Sequence, residues 1–392
     1  MADNKLPELD ILRIVSILIV VILIHIPNDY ANCLYIKLNQ YTIFFLHTLG
    51  IHVAMGSFAF ISGFGLYLNK NNRNINTFEK LGAFLKKRFL RIFPLYWVAL
   101  ILFLIFLGYS NMDFMYLMAH VMGLQIIVAP IFGPPILTLW FIGIIVIYYL
   151  IFIFLSFLGS IKRIIPASIA ILFLFAFLNM FFGLVEYRFF YYYLIFIAGI
   201  IVANIYTSPQ YNRFKERIIN RQKVIPLIIA LGVVVLSLIL YQFLTQYCFS
   251  TFNSEYGTTH LRLILDQNPG FIESATAILL VDMIIMTYIV FMISLCHFLI
   301  VGFRLISKWN IGLIFSTVAY STFCVYLFHR IFLGLYAIIL MDIFDLAAYE
   351  RLEFTIVLLF VPFIFLFSYL IQKFSDWVLN LASKLKSKRL TN

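Results

Sequence analysis

The chain has 392 residues, of which 64% are apolar and 11% charged, with a mean hydropathy of +1.01. A soluble domain carries about 45–50% apolar and about a quarter charged residues, so this composition excludes a water-soluble globule. The net charge of +11, from 28 Lys and Arg against 17 Asp and Glu, does not mark a nucleic-acid binder, because the cations sit in short clusters between long apolar runs.

Those runs, in chain order, are 11–27, 43–68, 89–107, 136–158, 164–184, 189–205, 224–245, 274–301, 311–341 and 352–372. Each can cover roughly 30 Å of hydrocarbon at ~1.5 Å per residue; 189–205 only just does so, and 311–341 needs tilt, a kink or an emergent end. Unpaired backbone cannot face lipid, and runs this long do not follow the alternating pattern of an outer-membrane barrel. The expected fold is therefore all-α, a polytopic membrane helical bundle of about ten transmembrane helices. The first run starts directly after Leu9 without a small-residue cleavage pattern, so it is expected to be the first span rather than a removed signal. Residues 1–373 form the expected membrane domain and 374–392 a short basic tail. No internal repeat is evident that would mark the inverted halves of a transporter.

Orientation follows from the cations. With the N-terminus inside, the inner segments collect Lys5, Arg13, the group Lys70, Arg73, Lys80, Lys86, Lys87, Arg88 and Arg91, then Lys162, Arg163, the group Arg213, Lys215, Arg217, Arg221 and Lys223, then Arg304, Lys308, Lys373, Lys384, Lys386, Lys388 and Arg389. That is 23 of 28; only Lys37, Arg188, Arg262, Arg330 and Arg351 remain on or near the outer side. Such a bias predicts an even number of spans with both termini cytoplasmic; the expected location is the plasma membrane.

Two outer connections are long. Residues 109–135 carry a Met/Tyr-rich stretch and the Gly133-Pro134-Pro135 turn, and are expected on the interface or dipping into the bundle. Residues 246–273 are the most polar outer stretch, with Asn253, Glu255, His260, Arg262, Asp266 and Glu273; they read either as a solvated cap or as an acceptor-binding segment in which His260 contacts substrate. Cys33, Cys248, Cys296 and Cys324 show no metal-like spacing. Cys33 and Cys248 fall on the same side and could pair, although two unrelated thiols are the simpler reading. No metal is expected.

Several residues are costly in hydrocarbon, where a charge within a span costs at least about 2.5 kcal/mol. Arg13 lies in the first run with Asp10 three residues before it, so it reads as an anchored ion pair or as a clamp for an anion entering from the cytoplasm. His25 lies about 18 Å further along a helix, at ~1.5 Å per residue. It reads as a buried hydrogen-bonded histidine or as a group that moves a proton near neutral pH. The second run has His47 and His52 near its outer end, then Ser62-Gly63, which permit close helix approach. Arg88 and Arg91, three apart at the head of the third run beside Lys86 and Lys87, read as interfacial anchors; Arg91, expected to lie deeper, suits a phosphate-rich ligand. Pro94 would fall in the first turn of that helix, where a missing N–H is harmless. His329 and Arg330 in the ninth run are buried by position, with Glu186, Asp342, Asp345, Glu350 and Glu353 as candidate counter-charges for Arg330.

These pieces, taken in order, resemble the integral membrane acyltransferase family known as acyltransferase-3, which acylates sugars and related acceptors of envelope polysaccharides, peptidoglycan and lipid-linked glycans. The resemblance rests on Leu9-Asp10-Ile11-Leu12-Arg13 followed by His25, the run ending Ile61-Ser62-Gly63-Phe64, and the block Lys87-Arg88-Phe89-Leu90-Arg91-Ile92-Phe93-Pro94-Leu95-Tyr96-Trp97. It also rests on Leu139-Trp140-Phe141 and on Ser321 through Tyr326-Leu327-Phe328-His329, and covers residues 9 to about 372. It implies an O-acyltransferase moving an acyl group, commonly acetyl, from cytoplasmic acetyl-CoA or another acyl-CoA to a hydroxyl of an outward-facing glycan, polysaccharide or lipid-linked sugar. In that frame Arg13 and His25 are catalytic, with His25 as the base; Lys87, Arg88 and Arg91 bind the donor; Trp140, His329, Arg330 and His260 bind the acceptor. The same charges could instead line the pathway of a transporter or flippase for an anionic lipid or glycan, or serve only helix packing in a scaffold. Two departures from the family pattern stand out. Ten residues usually separate the first-helix Arg and His, but eleven separate Arg13 from His25, which on an ideal α-helix turns them about 120° apart; a local bulge would restore the shared face. An acidic residue often follows the Trp of the fourth helix, but Phe141 to Tyr148 supply none.

Overall fold

In a computed structural model, residues 6–25, 40–106, 113–186, 188–209, 225–252, 271–306, 312–344 and 350–391 are described. Among them there are twelve α-helices and no strand. They are α1 (Pro7–Leu18), α2 (Gln40–Leu68), α3 (Phe78–Phe106), α4 (Phe114–Val121), α5 (Gln125–Phe132) and α6 (Trp140–Phe157), then α7 (Ile161–Phe182), α8 (Arg188–Tyr206), α9 (Ile225–Phe252), α10 (Phe271–Ile306), α11 (Gly312–Phe344) and α12 (Glu350–Thr391). Setting aside the two eight-residue helices α4 and α5, the rest follow the apolar runs in order. Among the described residues eight helices are long and apolar enough to cross a membrane, and the chain is a multi-pass membrane bundle. The all-α fold expected from hydropathy is the fold observed.

The first helix is not uniform. Pro7 occupies its first turn, where a missing N–H is harmless, and at Ile19 the α-helix widens into a π-helix that runs to His25. Five of the six residues before His25 are β-branched, which crowds a tight α turn and lowers the cost of leaving it. A π-helix bonds i to i+5 and turns by roughly 80–85° per residue instead of ~100°, so six such steps bring His25 back to within roughly 30° of Arg13. The eleven-residue separation is thereby accommodated by the expected kind of bulge.

Among the candidate spans of the described residues α6 is the most buried. Its sequence is apolar all round, and 67% of its span is buried, against 11% for α7, whose Phe173, Phe181 and Phe182 face outward as a lipid-facing surface requires. The closest packing is between α2 and α8, where glycines on both sides let the backbones meet: a Cβ on Gly63 would stand 2.1 Å from the Phe196 carbonyl oxygen, and one on Gly199 would stand 2.3 Å from that of Phe60. Buried tyrosines supply the polar joints. Tyr148 donates to the Phe189 carbonyl at 2.7 Å, Tyr193 to that of Ser168 at 3.0 Å, and Tyr288 to that of His52 at 3.1 Å. Each hydroxyl finds a backbone acceptor, as burial in hydrocarbon demands.

The connection between α3 and α6 folds inward as α4 and α5. Asp113 caps α4 by accepting from the Met115 and Tyr116 amides, and Gly123 takes φ +72 to turn the chain between the two short helices. His120 fixes the connection: its Nδ1 donates to the Tyr116 carbonyl at 2.9 Å and its Nε2 accepts from the Ile136 amide at 3.1 Å. From α3, Tyr96 donates to the His120 carbonyl and Trp97 to the Val121 carbonyl. Because α3 starts at Phe78, Pro94 lies inside the helix rather than in its first turn: the cation-bearing segment ahead of the apolar run is itself helical.

Candidate active site

Helix α1 carries one polar constellation at each end. At its N-terminal end Arg13 donates to Asp10 at 2.6 Å, the i,i+3 pair expected from the sequence. The guanidinium of Arg91 repels that of Arg13, and Tyr149 of α6 interacts with both Arg13 and Arg88. Arg88 stands 5.3 Å from the Phe84 ring and 5.4 Å from the Tyr149 ring, and its Nε is buried without a hydrogen-bond acceptor. The three arginines of α1 and α3 are therefore close enough to repel one another, Tyr149 stands against Arg88, and the Arg88 Nε–H is buried without the acceptor that an anion would supply. Arg88, not Arg91, is the more buried of the two. The buried stripe of α3 runs through Phe84, Ile92 and Tyr96 at four-residue steps that include Arg88, whereas Arg91 falls at its edge and is exposed, as are Lys86 and Lys87.

At the other end the π turn presents His25 to α11. Arg330 directs both its Nε, at 3.1 Å, and its Nη2, at 2.9 Å, to His25 Nδ1. The His329 ring lies 4.8 Å from that of His25, centroid to centroid, with 37° between planes. His329 is fully buried; its Nδ1 is 2.9 Å from the carbonyls of both Val325 and Tyr326, and its Nε2 is buried with no hydrogen-bond partner. The structure thus joins His25 of the first helix to His329 and Arg330 of the ninth apolar run. For Arg330 it supplies an imidazole nitrogen among its partners, whereas Glu186, one of the candidate counter-charges, pairs with Arg188 at 3.2 Å.

Trp140 opens α6 beside this centre. The Arg188 guanidinium lies 4.7 Å over its ring, and Tyr192 stacks on it at 5.9 Å. Tyr326, one turn before His329, donates to the Thr138 carbonyl just ahead of Trp140 and packs edge-on to Phe141 at 5.9 Å. Through Arg188, the carboxyl of Glu186 in the α7–α8 connection is linked to Trp140. Glu186 is 9% exposed and its Oε2 has no partner. Burial pushes its carboxyl above the usual range, and Arg188 pulls it the other way. Sequence reading counted Arg188 only as an outer cation and passed over Tyr149; the one signal was Glu186 and Arg188 standing two apart in a short polar break between apolar runs.

Some expectations fall outside the described residues: His260 and Arg262, Cys33 and the side chains of His47, Cys248, Asp342, Glu350 and Glu353, with Asp345. Among the described residues no three His, Cys, Asp or Glu side chains are grouped to hold a metal ion.

Comparison with curated proteins and with solved structures gives no match. The family model of an acyltransferase domain, acyltransferase-3, matches residues 6–373. That match spans nearly the whole chain, including both ends of α1, α3, Trp140 and His329, so the protein belongs to the acyltransferase-3 family and is a membrane acyltransferase that transfers groups other than aminoacyl groups.

Proposed function

We propose that this enzyme takes an acyl group, acetyl in the first instance, from acyl-CoA on the cytoplasmic side of the plasma membrane and delivers it to a hydroxyl of an outward-facing glycan or lipid-linked sugar. Both termini are cytoplasmic in this reading, residues 1–373 form the catalytic membrane domain, and residues 374–392 are its basic tail. The supporting observation is the division of labour along one helix. Arg13 at the inner end of α1 joins Arg88 and Arg91, whose forked donors suit the diphosphate and ribose phosphate of coenzyme A. His25, about 18 Å further along at ~1.5 Å per residue, meets His329 and Arg330 where a hydroxyl proton can be handled. An acetyl group offers little binding energy, so recognition of the donor falls to the cations. Trp140 and the Glu186–Arg188 pair offer the outward acceptor a ring, a carboxylate and a guanidinium; His260 belongs to the segment expected to complete that side.

Isothermal titration of the purified protein with acetyl-CoA, CoA and longer acyl-CoAs tests the donor assignment and reports the acyl length. Binding should weaken as salt rises, and Arg88→Ala and Arg91→Ala should weaken it. Absence of binding by any CoA species to folded protein overturns the assignment, and counterflow of a labelled glycan in proteoliposomes without acyl-CoA would replace it with transport.

A further inference from the structure

The two histidines at the outer end of α1 are held in different protonation forms by neighbours whose hydrogen-bonding roles are fixed. A guanidinium only donates. With both Nε–H and Nη2–H of Arg330 directed at His25 Nδ1, that nitrogen keeps its lone pair, and the ring proton of neutral His25 sits on Nε2. Protonating Nδ1 would break both bonds and set two cations against each other. A backbone carbonyl only accepts. With Nδ1 of His329 at 2.9 Å from the carbonyls of Val325 and Tyr326, that nitrogen carries the proton, and the lone pair of His329 is on Nε2. That Nε2 is the buried nitrogen with no partner. Two imidazoles 4.8 Å apart therefore offer opposite functions: an N–H from His25 and an unsolvated lone pair from His329.

We propose that His329, through Nε2, is the catalytic base that takes the acceptor hydroxyl's proton, and that His25, through Nε2–H, is the donor that stabilises the acyl carbonyl oxygen. The inference rests on the acyl-CoA reading above and assigns the parts within it. As the acceptor O–H bond breaks, its proton passes to His329 Nε2 and its oxygen forms a bond to the thioester carbonyl carbon. The carbonyl π pair moves onto oxygen, and that oxyanion is held by His25 Nε2–H, itself polarised by Arg330. Collapse re-forms the C=O bond and breaks the C–S bond. The CoA thiolate leaves and the proton on His329 neutralises it, so the products are the ester and CoA thiol with both histidines restored. His329 is closed off from solvent while His25 and Arg330 are part-exposed, so a hydroxyl that reaches Nε2 must displace this pair together, with its mutual hydrogen bonds kept.

Glutamine separates the two roles, since its amide can donate and accept hydrogen bonds but cannot carry off a proton. With acetyl-CoA as donor, and water or methyl glucoside as the hydroxyl probe, thiol release by His329→Gln should fall about 10²–10⁴-fold in kcat, with acetyl-CoA affinity unchanged. His25→Gln should retain at least tenfold more of the rate than His329→Gln. The idea is overturned if His329→Gln keeps its rate within tenfold of the unmodified protein, or if His25→Gln falls as far as His329→Gln. A second measurement needs neither turnover nor an intact variant site: in ¹⁵N-histidine spectra of the unmodified protein, with the variants used only for assignment, His329 should show the Nδ1–H tautomer and His25 the Nε2–H tautomer. The reverse tautomers sink the assignment. If the unmodified protein releases no thiol at all, the acyl-CoA reading fails in that arm, while the tautomers still decide whether the pair is built as described.

Discussion

The crossing of α2 and α8 makes a sharp test of the fold because two backbones, not side chains, are in contact there. Gly63→Ala places a Cβ 2.1 Å from the Phe196 carbonyl oxygen, whereas ordinary contact begins near 3.4 Å. The shortfall is 3.4 − 2.1 = 1.3 Å. No rotamer change relieves it, so the helices must separate by about that distance along the crossing. A gap of 0.5–1 Å already forfeits about a quarter to a half of each contact's ~0.1–0.2 kcal/mol, summed over some tens of atom pairs. We expect a loss of about 2–3 kcal/mol, at the upper end of overpacking changes. Gly65→Ala, one helical step past Phe64 with nothing within 4 Å, is the control, and helix propensity alone would make it neutral or up to ~1 kcal/mol more stable. Gly199→Ala should match Gly63→Ala, since its Cβ would meet the Phe60 carbonyl at 2.3 Å. The double variant should cost less than the sum, because one separation relieves both clashes. Gly56→Ala should be milder, as its Cβ would meet two side-chain ends rather than backbone, the Met292 methyl at 2.8 Å and the Tyr288 hydroxyl at 2.9 Å, although the latter must shift from its bond to the His52 carbonyl. Unfolding of purified protein titrated with a denaturing detergent and followed by tryptophan fluorescence gives the comparison. If Gly63→Ala is no less stable than Gly65→Ala, the close crossing is wrong.

In the proposed donor site, Arg88→Ala should weaken acetyl-CoA binding about ten- to hundredfold and Lys86→Ala only a few-fold, since charge-assisted bonds at the half-buried arginine are worth about 1.5–3 kcal/mol and the exposed lysine is screened; titration at two salt concentrations reads both. Arg330→Lys keeps the charge but loses the two converging N–H groups on His25, and the transfer rate should drop about ten- to hundredfold in a thiol-release assay. His120, in the connection between spans, has its pKa lowered by burial, with its bond to the Tyr116 carbonyl opposing that shift. A depressed pKa in the folded state means that the unfolded chain binds the extra proton. The contribution is therefore complete above the unfolded value near 6.5 and is lost as pH falls below it, at no more than about 1.4 kcal/mol per pH unit. Thermal unfolding should shift to lower temperature between pH 7.5 and 5.5, and His120→Gln should flatten that dependence.

Hydropathy made the long helices legible because lipid leaves the backbone no other arrangement, and the same constraint marked Arg13, His25, His329 and Arg330 as residues needing a reason to be buried. Ser62-Gly63 announced a close crossing but not its partner, since Gly199 stands in an otherwise unremarkable apolar run. The relative depth of Arg88 and Arg91 was misread because the start of an apolar run was taken for the start of a helix. Once α3 begins at Phe78, its buried stripe selects Arg88. The approach of His329 to His25 joins residues 304 positions apart (329 − 25), and hydropathy carries no trace of such a pairing. Glu186 was legible as a candidate counter-charge, but its choice of Arg188 over Arg330 depends on how the chain turns at Val185, a non-glycine residue at φ +69.

The π turn at Ile19–His25 has a consequence for how chains of this kind are aligned. A helix that holds one residue more than its counterparts can keep both ends in phase by storing the surplus in a single widened turn. The residue count between Arg13 and His25 is then free to drift while their angular relation stays fixed, and an insertion that would rotate the whole outer half of a uniform helix is absorbed locally. Azimuth around the helix axis, rather than spacing along the chain, is the quantity that decides whether two such first helices are equivalent.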